Sequence, residues 1–544
     1  MKELKCSRRT MDILFWLFMA IGILARLWKF GDVPADINVD EAYAGYEAYS
    51  LLHYGIDSHG YCFPVYLTTW GSGMSALNSY LMIPFLAVFG AQTWVIRMPQ
   101  LIVGCLTLWA VFLIVKRVIN EYVALYALFF LAISPWHIMM CRWGMDANLA
   151  PGFVIFGLYF FLRGMENARF FMLSALFYGL SLYCYATIWP FVPLMLALQL
   201  GYGFWYKRIR FSWELLISGV LLFLMALPLL LFLLVNFGVL EEICLPFISI
   251  PRLLHMRANE FSISNLYEQT KNLWHIIKLQ YDWLPHNGTE SFGIFYHCSF
   301  LFLVIGLILY FKELVISIVR KKYCPYMMIL IQLGGAVLLG VSIQANINRV
   351  NILFIPVIII TASGIYYVCM LGGNMIGAVC GKLRWKKRNR LLEAVSSGQL
   401  GKWLLLASVG SYMVLFVKFE KYYFTEYKSE IEYHFCKGIE EAVDHALRYE
   451  GTIYVSPGIQ HPRILFYSEE PVTEYLETVT YYNYPSPFLE TVSFGRFCFE
   501  FDPTKPDTKA VYILSKAVDL SVYEEMGFIL ETFDWFTVAH VDGR

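Results

Sequence analysis

The run LLISGVLLFLMALPLLLFLLV, residues 215–235, holds no Asp, Glu, Lys or Arg in 21 consecutive positions. About 20 predominantly apolar residues suffice to cross the hydrocarbon core of a bilayer as a helix. The span expected here is 212–236, and the pattern recurs on both sides of it. Further spans are expected near 11–29, 94–115, 122–141, 149–162, 170–188, 190–206, 298–315, 325–343, 350–371 and 402–418. That makes about eleven. The run 76–90 is apolar but short and contains Pro84, which fits an interfacial or half-buried helix.

Composition agrees with this reading. The chain has 544 residues, of which 58% are hydrophobic and 15% charged. Soluble domains carry about 25% charged residues. The chain therefore reads as a polytopic membrane protein. Its formal net charge is zero, which gives no basis for a nucleic-acid partner. The twelve cysteines are scattered and form no C-x-x-C pair. Cys105, Cys184 and Cys369 fall inside apolar spans, where a thiol acts as a small hydrophobe. Neither a disulfide framework nor a zinc site is expected from the cysteines.

Residues 2–9 are basic and precede the first apolar run, as in a signal peptide, but no small-x-small cleavage site follows it. A retained signal anchor is expected. Lys and Arg in short loops mark the cytoplasmic side. Arg8-Arg9, Lys116-Arg117, Arg163 with Arg169, Lys207-Arg208 with Arg210, Arg320 to Lys322 and Lys382 to Arg390 fall on one side if 76–90 does not cross. The expected N-terminus is cytoplasmic and the C-terminus extracytoplasmic, with a multi-pass protein of the cell membrane between them.

Three larger segments then lie outside: a first loop at 30–93, a second at about 237–297, and a tail at 419–544. The tail has the composition of a soluble domain. Lys437 to Tyr449 reads as an amphipathic helix, and Thr452 to Ser456 and Ala510 to Leu514 read as strands. The expected fold is an all-α membrane module, residues 1–418, with a small α/β extracytoplasmic domain docked on its outer face.

Candidate chemistry gathers on that face. Ile37-Asn38-Val39-Asp40-Glu41-Ala42-Tyr43 puts an acidic pair at the start of a helix expected over Ala42 to Leu52, lying along the interface. Such a pair can act as a base, a metal ligand or a cation site, or can simply favour a helix N-terminus. Arg97, Arg142, Asp146, Asn348 and Arg349 are expected at matching depth, each also readable as a structural cap. Arg349, inside Asn346-Ile347-Asn348-Arg349-Val350-Asn351, suits planar recognition of phosphate. His286 in Leu284-Pro285-His286-Asn287 is a further candidate for substrate contact beside a structural reading. No span carries a ladder of charges, unlike ion-coupled transporters.

Val39-Asp40-Glu41-Ala42-Tyr43, Asp57-Ser58-His59-Gly60 with Phe63-Pro64, Arg97-Met98-Pro99, Ile133-Ser134-Pro135-Trp136-His137, Arg142-Trp143-Gly144, Tyr183-Cys184-Tyr185-Ala186 and Asn348-Arg349 occur in order. Together they resemble the GT-C superfamily of polyprenyl-phosphate-sugar-dependent glycosyltransferases, nearest to bacterial proteins grouped with protein O-mannosyltransferases (glycosyltransferase family 39 and relatives). The resemblance covers residues 11 to about 370 and is strongest in the first 190. It implies transfer of a hexose or pentose from a polyprenyl-phosphate donor to an acceptor hydroxyl on a glycan, lipid or protein, with inversion. In such enzymes an acid matching Asp40 is the general base, Glu41 its less certain companion, and Arg349 or Arg97 faces the leaving phosphate. Some members use a lysine after the first-loop helix; here Thr68-Thr69-Trp70-Gly71-Ser72-Gly73-Met74 has none. Weight shifts to Arg349 and to Arg252, His255 and Arg257 of the second loop. Asp146 is a second acid or, with Asp40, a divalent-metal ligand. Two rival readings stand beside this one: a transporter or flippase of lipid-linked sugars, and a receptor or assembly protein acting through its tail.

Overall fold

The computed structural model describes residues 7–256, 265–382 and 400–541. Residues 2–6, Arg257 and the basic run after Lys382 lie outside the described residues. Among the described residues, eight helices are long and apolar enough to cross a membrane: Arg8–Leu27, Met98–Val118, Asp146–Gly164, Ile188–Trp205, Trp213–Asn236, His297–Arg320, Asn351–Ile376 and Leu400–Ile431. The other expected spans form shorter apolar helices, Glu121–Ala132, Phe170–Ser181 and Met327–Ser342. The protein is thus a polytopic helical membrane protein. The apolar stretch 76–90 folds as Leu77–Phe89, only 13 residues long.

One expected span is broken. Residues 122–141 form Glu121–Ala132 and then a separate helix, Pro135–Met140. Proline disfavours helical geometry in the residue before it, and the Ser134 hydroxyl accepts from the His137 N–H to start the new helix. The last long helix continues to Phe424, past the boundary expected at 418.

The first loop carries the helix Val39–Tyr54. Asn38 and Glu41 close a capping box at its start, and Gly55 in the left-handed region ends it. This helix is more deeply covered than an expected interfacial helix. Tyr43, Tyr46 and Glu47 are buried, because the C-terminal domain covers the exposed side of this helix. Gly45 permits the contact: a Cβ there would lie 2.8 Å from the Phe466 ring, on the helix His461–Ser468.

The C-terminal domain is α/β, as its composition suggests. Its mixed sheet runs, edge to edge, Ile529–Phe533, Phe536–His540, Val511–Ser515, Ile453–Val455, Phe497–Cys498, Thr491–Phe494 and Thr480–Tyr481. Ile453–Val455 pairs in parallel with both neighbours, and the remaining pairs are antiparallel. Ile439, Val443, Ile464 and Phe466 share one apolar core with Ala42, Tyr46 and Leu51 of the first loop. The second loop joins the same end of the molecule, where Val65 N–H donates to the Ser249 carbonyl at 3.0 Å.

Candidate active site

Asp40 is the second residue of its helix and half-buried. Its carboxylate sits where free N–H groups and the helix dipole favour negative charge. It lines a cavity of about 480 Å³. Asp146 lines the same cavity from the turn that opens Asp146–Leu149. Two carboxylates that lie far apart in sequence therefore share one chamber.

Three polar anchors hold Asp146 there. The Glu41 carboxylate accepts from the Gly144 N–H, Asn78 donates to the Gly144 carbonyl at 2.6 Å, and Asn351 donates to the Ala147 carbonyl at 2.6 Å. Glu41 is itself held by Arg97, with Nε to Oε1 at 2.8 Å and Nη2 to Oε2 at 2.9 Å. Both side chains are fully buried. Glu41 also accepts from the Asn38 N–H at 3.0 Å. Glu41 is thus part of the frame around Asp146 and does not line the cavity.

Arg97 and Arg142 are likewise committed elsewhere. Arg97 donates to Glu41 and to the Pro34 and Asp36 carbonyls at 2.7 and 2.5 Å. Arg142 donates to the carbonyls of Val33, Arg26, Trp28 and Lys29 at 2.7–3.0 Å. Those carbonyls include the open C-terminal end of the first helix, where a buried cation satisfies orphan acceptors and the dipole. Both guanidiniums are fully buried, and neither lines the cavity.

His286 packs edge-on against Trp143, ring centroids 5.3 Å apart, and is not part of the cavity wall. Burial, with His434 nearby, pushes its pKa down to about 4, so it is neutral. Asn348 is buried and also off the cavity wall. The polar cluster around it is held by Asp282 of the second loop, which accepts from the Ile347 N–H at 2.8 Å. Arg349 is half-buried, and its carbonyl faces the hydroxyl of the cavity residue Thr187 at 3.4 Å. Among the described residues lining the cavity there is no Lys, Arg or His. Arg257, next after the lining residue Met256, lies outside the described residues.

Sequence reading passed over most of the wall. Tyr66, Trp70, Ser72, Tyr185 and Trp189 form its amphipathic side, and Phe232, Leu233, Phe237, Leu253 and Met256 its apolar side. Trp70 and Ser72 come from a hairpin between Tyr66–Leu67 and Met74–Ser75. Three other segments hold this hairpin. Thr68 Oγ1 donates to Asp57 at 3.0 Å, Leu489 N–H to the Trp70 carbonyl at 2.9 Å, and His255 N–H to the Gly71 carbonyl at 3.0 Å. Gly71 is required, with φ +91° and a Cβ direction that meets the Ser486 carbonyl. The Asp57-Ser58-His59-Gly60 motif supports the hairpin from below. Buried Glu47 accepts from Ser58 Oγ at 2.5 Å and from the Ser58 N–H at 2.9 Å. Burial, then the nearby Asp57, pushes Glu47 well above the carboxylate range.

Asp40 and Asp146 are also the two described carboxylates in the cavity that a divalent cation could use. Hard cations take six or more oxygens, so these two supply part of a shell and substrate or water the rest.

The helical bundle with acids in its loops, covered by a small α/β domain, is similar in fold to solved membrane proteins. The family model for dolichyl-phosphate-mannose-protein mannosyltransferases matches residues 76–232. Among solved structures, ArnT from Cupriavidus metallidurans bound to undecaprenyl phosphate is similar over 98% of both chains, with TM-score 0.54 and 12% identity. The apo oligosaccharyltransferase of Archaeoglobus fulgidus is similar over 85% of this chain, with TM-score 0.52 and 13% identity. The archaeal AglB in complex with an inhibitory peptide and a dolichol-phosphate gives TM-score 0.50 at 14% identity. This chain spans 64% of the length of both archaeal proteins, less than two thirds. No curated protein matches the chain by sequence.

Proposed function

We propose that this protein is a membrane glycosyltransferase that moves a sugar from a polyprenyl-phosphate donor to an acceptor hydroxyl on the outer face of the membrane. The observation that carries the reading is a carboxylate-bearing cavity with one apolar wall, built between membrane helices and two large loops. The family match and the lipid phosphates bound by ArnT and AglB support the donor class. The basic short loops support a cytoplasmic N-terminus.

In this reading the lipid enters along the apolar wall. A second, apolar cavity of about 320 Å³ beside Phe247 and Pro228 offers room for chain segments. The sugar phosphate lies against Trp70, Ser72 and Tyr185. Asp40 accepts the proton of the acceptor hydroxyl while that oxygen attacks the anomeric carbon. Polyprenyl phosphate leaves from the opposite face, so the configuration inverts. Arg349, whose backbone carbonyl faces the cavity residue Thr187, is the cation assigned to offset the charge of the leaving phosphate. A divalent ion held by Asp40 and Asp146 would add charge neutralisation there.

The test is Asp40→Asn. A positioned base contributes about 10²–10⁴-fold, so turnover falls by that factor at unchanged stability. Purified protein is assayed with labelled polyprenyl-phosphate sugars and cell-envelope acceptors, reading released polyprenyl phosphate. Wild-type turnover in Asp40→Asn refutes the assignment of the base.

A further inference from the structure

The C-terminal domain holds a second cluster of ligand-type side chains, on the opposite sheet edge from the strand Thr480–Tyr481. His445 lies on the helix Ile439–Ala446, and Tyr449 follows at i+4, so both project from one side of that segment. Glu531 and His540 come from the last hairpin, where His540 pairs with Ile529 and Val538 with Glu531. The two are therefore diagonal neighbours on one face of the sheet, within reach of long side chains. The helix packs on that face and brings the two pairs together.

The atoms converge. His445 Nε2 lies 3.5 Å from one Glu531 oxygen, and His540 Nε2 lies 3.9 Å from the other. The Tyr449 hydroxyl lies 3.2 Å from His445 Nε2 and 3.0 Å from His540 Nε2. The ligand atoms of His445, Glu531 and His540 are all within 4.8 Å of one another. A tetrahedral zinc ion with ligands at 2.0–2.1 Å sets its ligand atoms about 3.3 Å apart. The separations of 3.5 and 3.9 Å lie about 0.2–0.6 Å above that figure, and the widest, at most 4.8 Å, closes by up to about 1.5 Å on binding.

The surroundings are those of a built site. Both histidines are buried, while Glu531 is about half exposed at 46%, which leaves an entry path. Arg496 fixes the backbone behind Tyr449 by donating to the Tyr449 and Gly451 carbonyls. The rings of Tyr449 and His540 stack at 4.0 Å.

We propose that His445, Glu531 and His540, with Tyr449 in the fourth position, bind one divalent transition-metal ion, zinc by preference, that pins the helix Ile439–Ala446 to the last hairpin. Imidazole and carboxylate ligands in this arrangement suit zinc. The site joins residues almost a hundred positions apart, so metal binding closes a long loop of the domain. It is separate from the cavity and independent of the reaction assigned there.

The test uses the full-length protein in detergent, stripped with a chelator, equilibrated with micromolar zinc and desalted. Elemental analysis is expected to show about one zinc per chain, and zinc to raise the unfolding temperature. Even outer-shell changes cost metal sites about 10–100-fold in affinity, so His540→Asn and Glu531→Gln are expected to weaken binding at least tenfold. Zinc retained in Asp40→Asn but lost in His540→Asn lies at this site and not in the cavity. If the ligand variants fail to fold, cobalt titration of the unaltered protein decides: intense tetrahedral visible bands, displaced by zinc, support the site. Less than a tenth of an equivalent of zinc, a cobalt spectrum of the hydrated ion, or zinc affinity unchanged in His540→Asn and Glu531→Gln overturns it.

Discussion

Arg97→Met separates a framework role for Glu41 from a chemical one. The two side chains are fully buried and joined by two short bonds, at 2.8 and 2.9 Å. The same guanidinium also serves the Pro34 and Asp36 carbonyls. With methionine in its place, the Glu41 carboxylate keeps only the N–H donors of Asn38 and Gly144. Breaking a buried ion pair from one side costs about 3–5 kcal/mol, because an uncompensated charge remains inside. At roughly 2 °C per kcal/mol, the unfolding temperature in detergent should drop by roughly 6–10 °C. Removing both charges, as Glu41→Gln with Arg97→Met, should recover about 2 kcal/mol of that loss, since the stranded carboxylate is gone. Intrinsic-fluorescence melting with all four proteins of the cycle reads the coupling directly. An unfolding temperature unchanged in Arg97→Met, together with lost transfer, would refute the framework role and return both residues to the substrate.

Arg142→Met should likewise lower the unfolding temperature, because four carbonyls at 2.7–3.0 Å lose their donor, and hydrogen exchange should rise first at residues 25–33. Gly45→Val drives a side chain into Phe466 and should cost about 1–3 kcal/mol, read as faster proteolysis of the C-terminal domain. Trp70→Ala opens the cavity wall and should raise KM for the lipid donor more than it lowers kcat. Burial, opposed by the Gly438 N–H and aided by Glu441 and Glu440, lifts the Asp36 pKa from 3.8 to about 7. The folded state therefore binds this proton more tightly than the unfolded chain. Stability from this group is greatest below about pH 4 and falls as the pH rises to about 7, by an order of 4 kcal/mol. Asp36→Asn should flatten that slope in melting curves taken across the window.

Much of the architecture was legible because the code for it is local. Twenty uncharged positions make a membrane helix wherever they stand, as Trp213–Asn236 shows. The change of composition after residue 418 marked a separate α/β unit, and the acidic pair Asp40-Glu41 marked a helix start, which the Asn38 cap sets at Val39. The break at Ser134-Pro135 was equally local, yet the apolar run concealed it. Residue type also brought Asp40 and Asp146 forward as candidates, and the fold places both in one cavity.

The partners of each charge were not local. Arg97 lies 56 positions from Glu41, and the Arg142 acceptors are more than a hundred positions away. Depth alone could not tell a cation facing a phosphate from one closing a helix end. Nor could it show that the first-loop helix is covered by the tail, a contact made possible by one glycine. The sequence by itself determined that this chain is a helical membrane protein with acids near its loops, since hydropathy and helix period act through neighbours along the chain. Only the tertiary structure decided which of two adjacent acids faces the cavity: consecutive helix positions point about 100° apart, and Arg97 with Gly144 claims one of them.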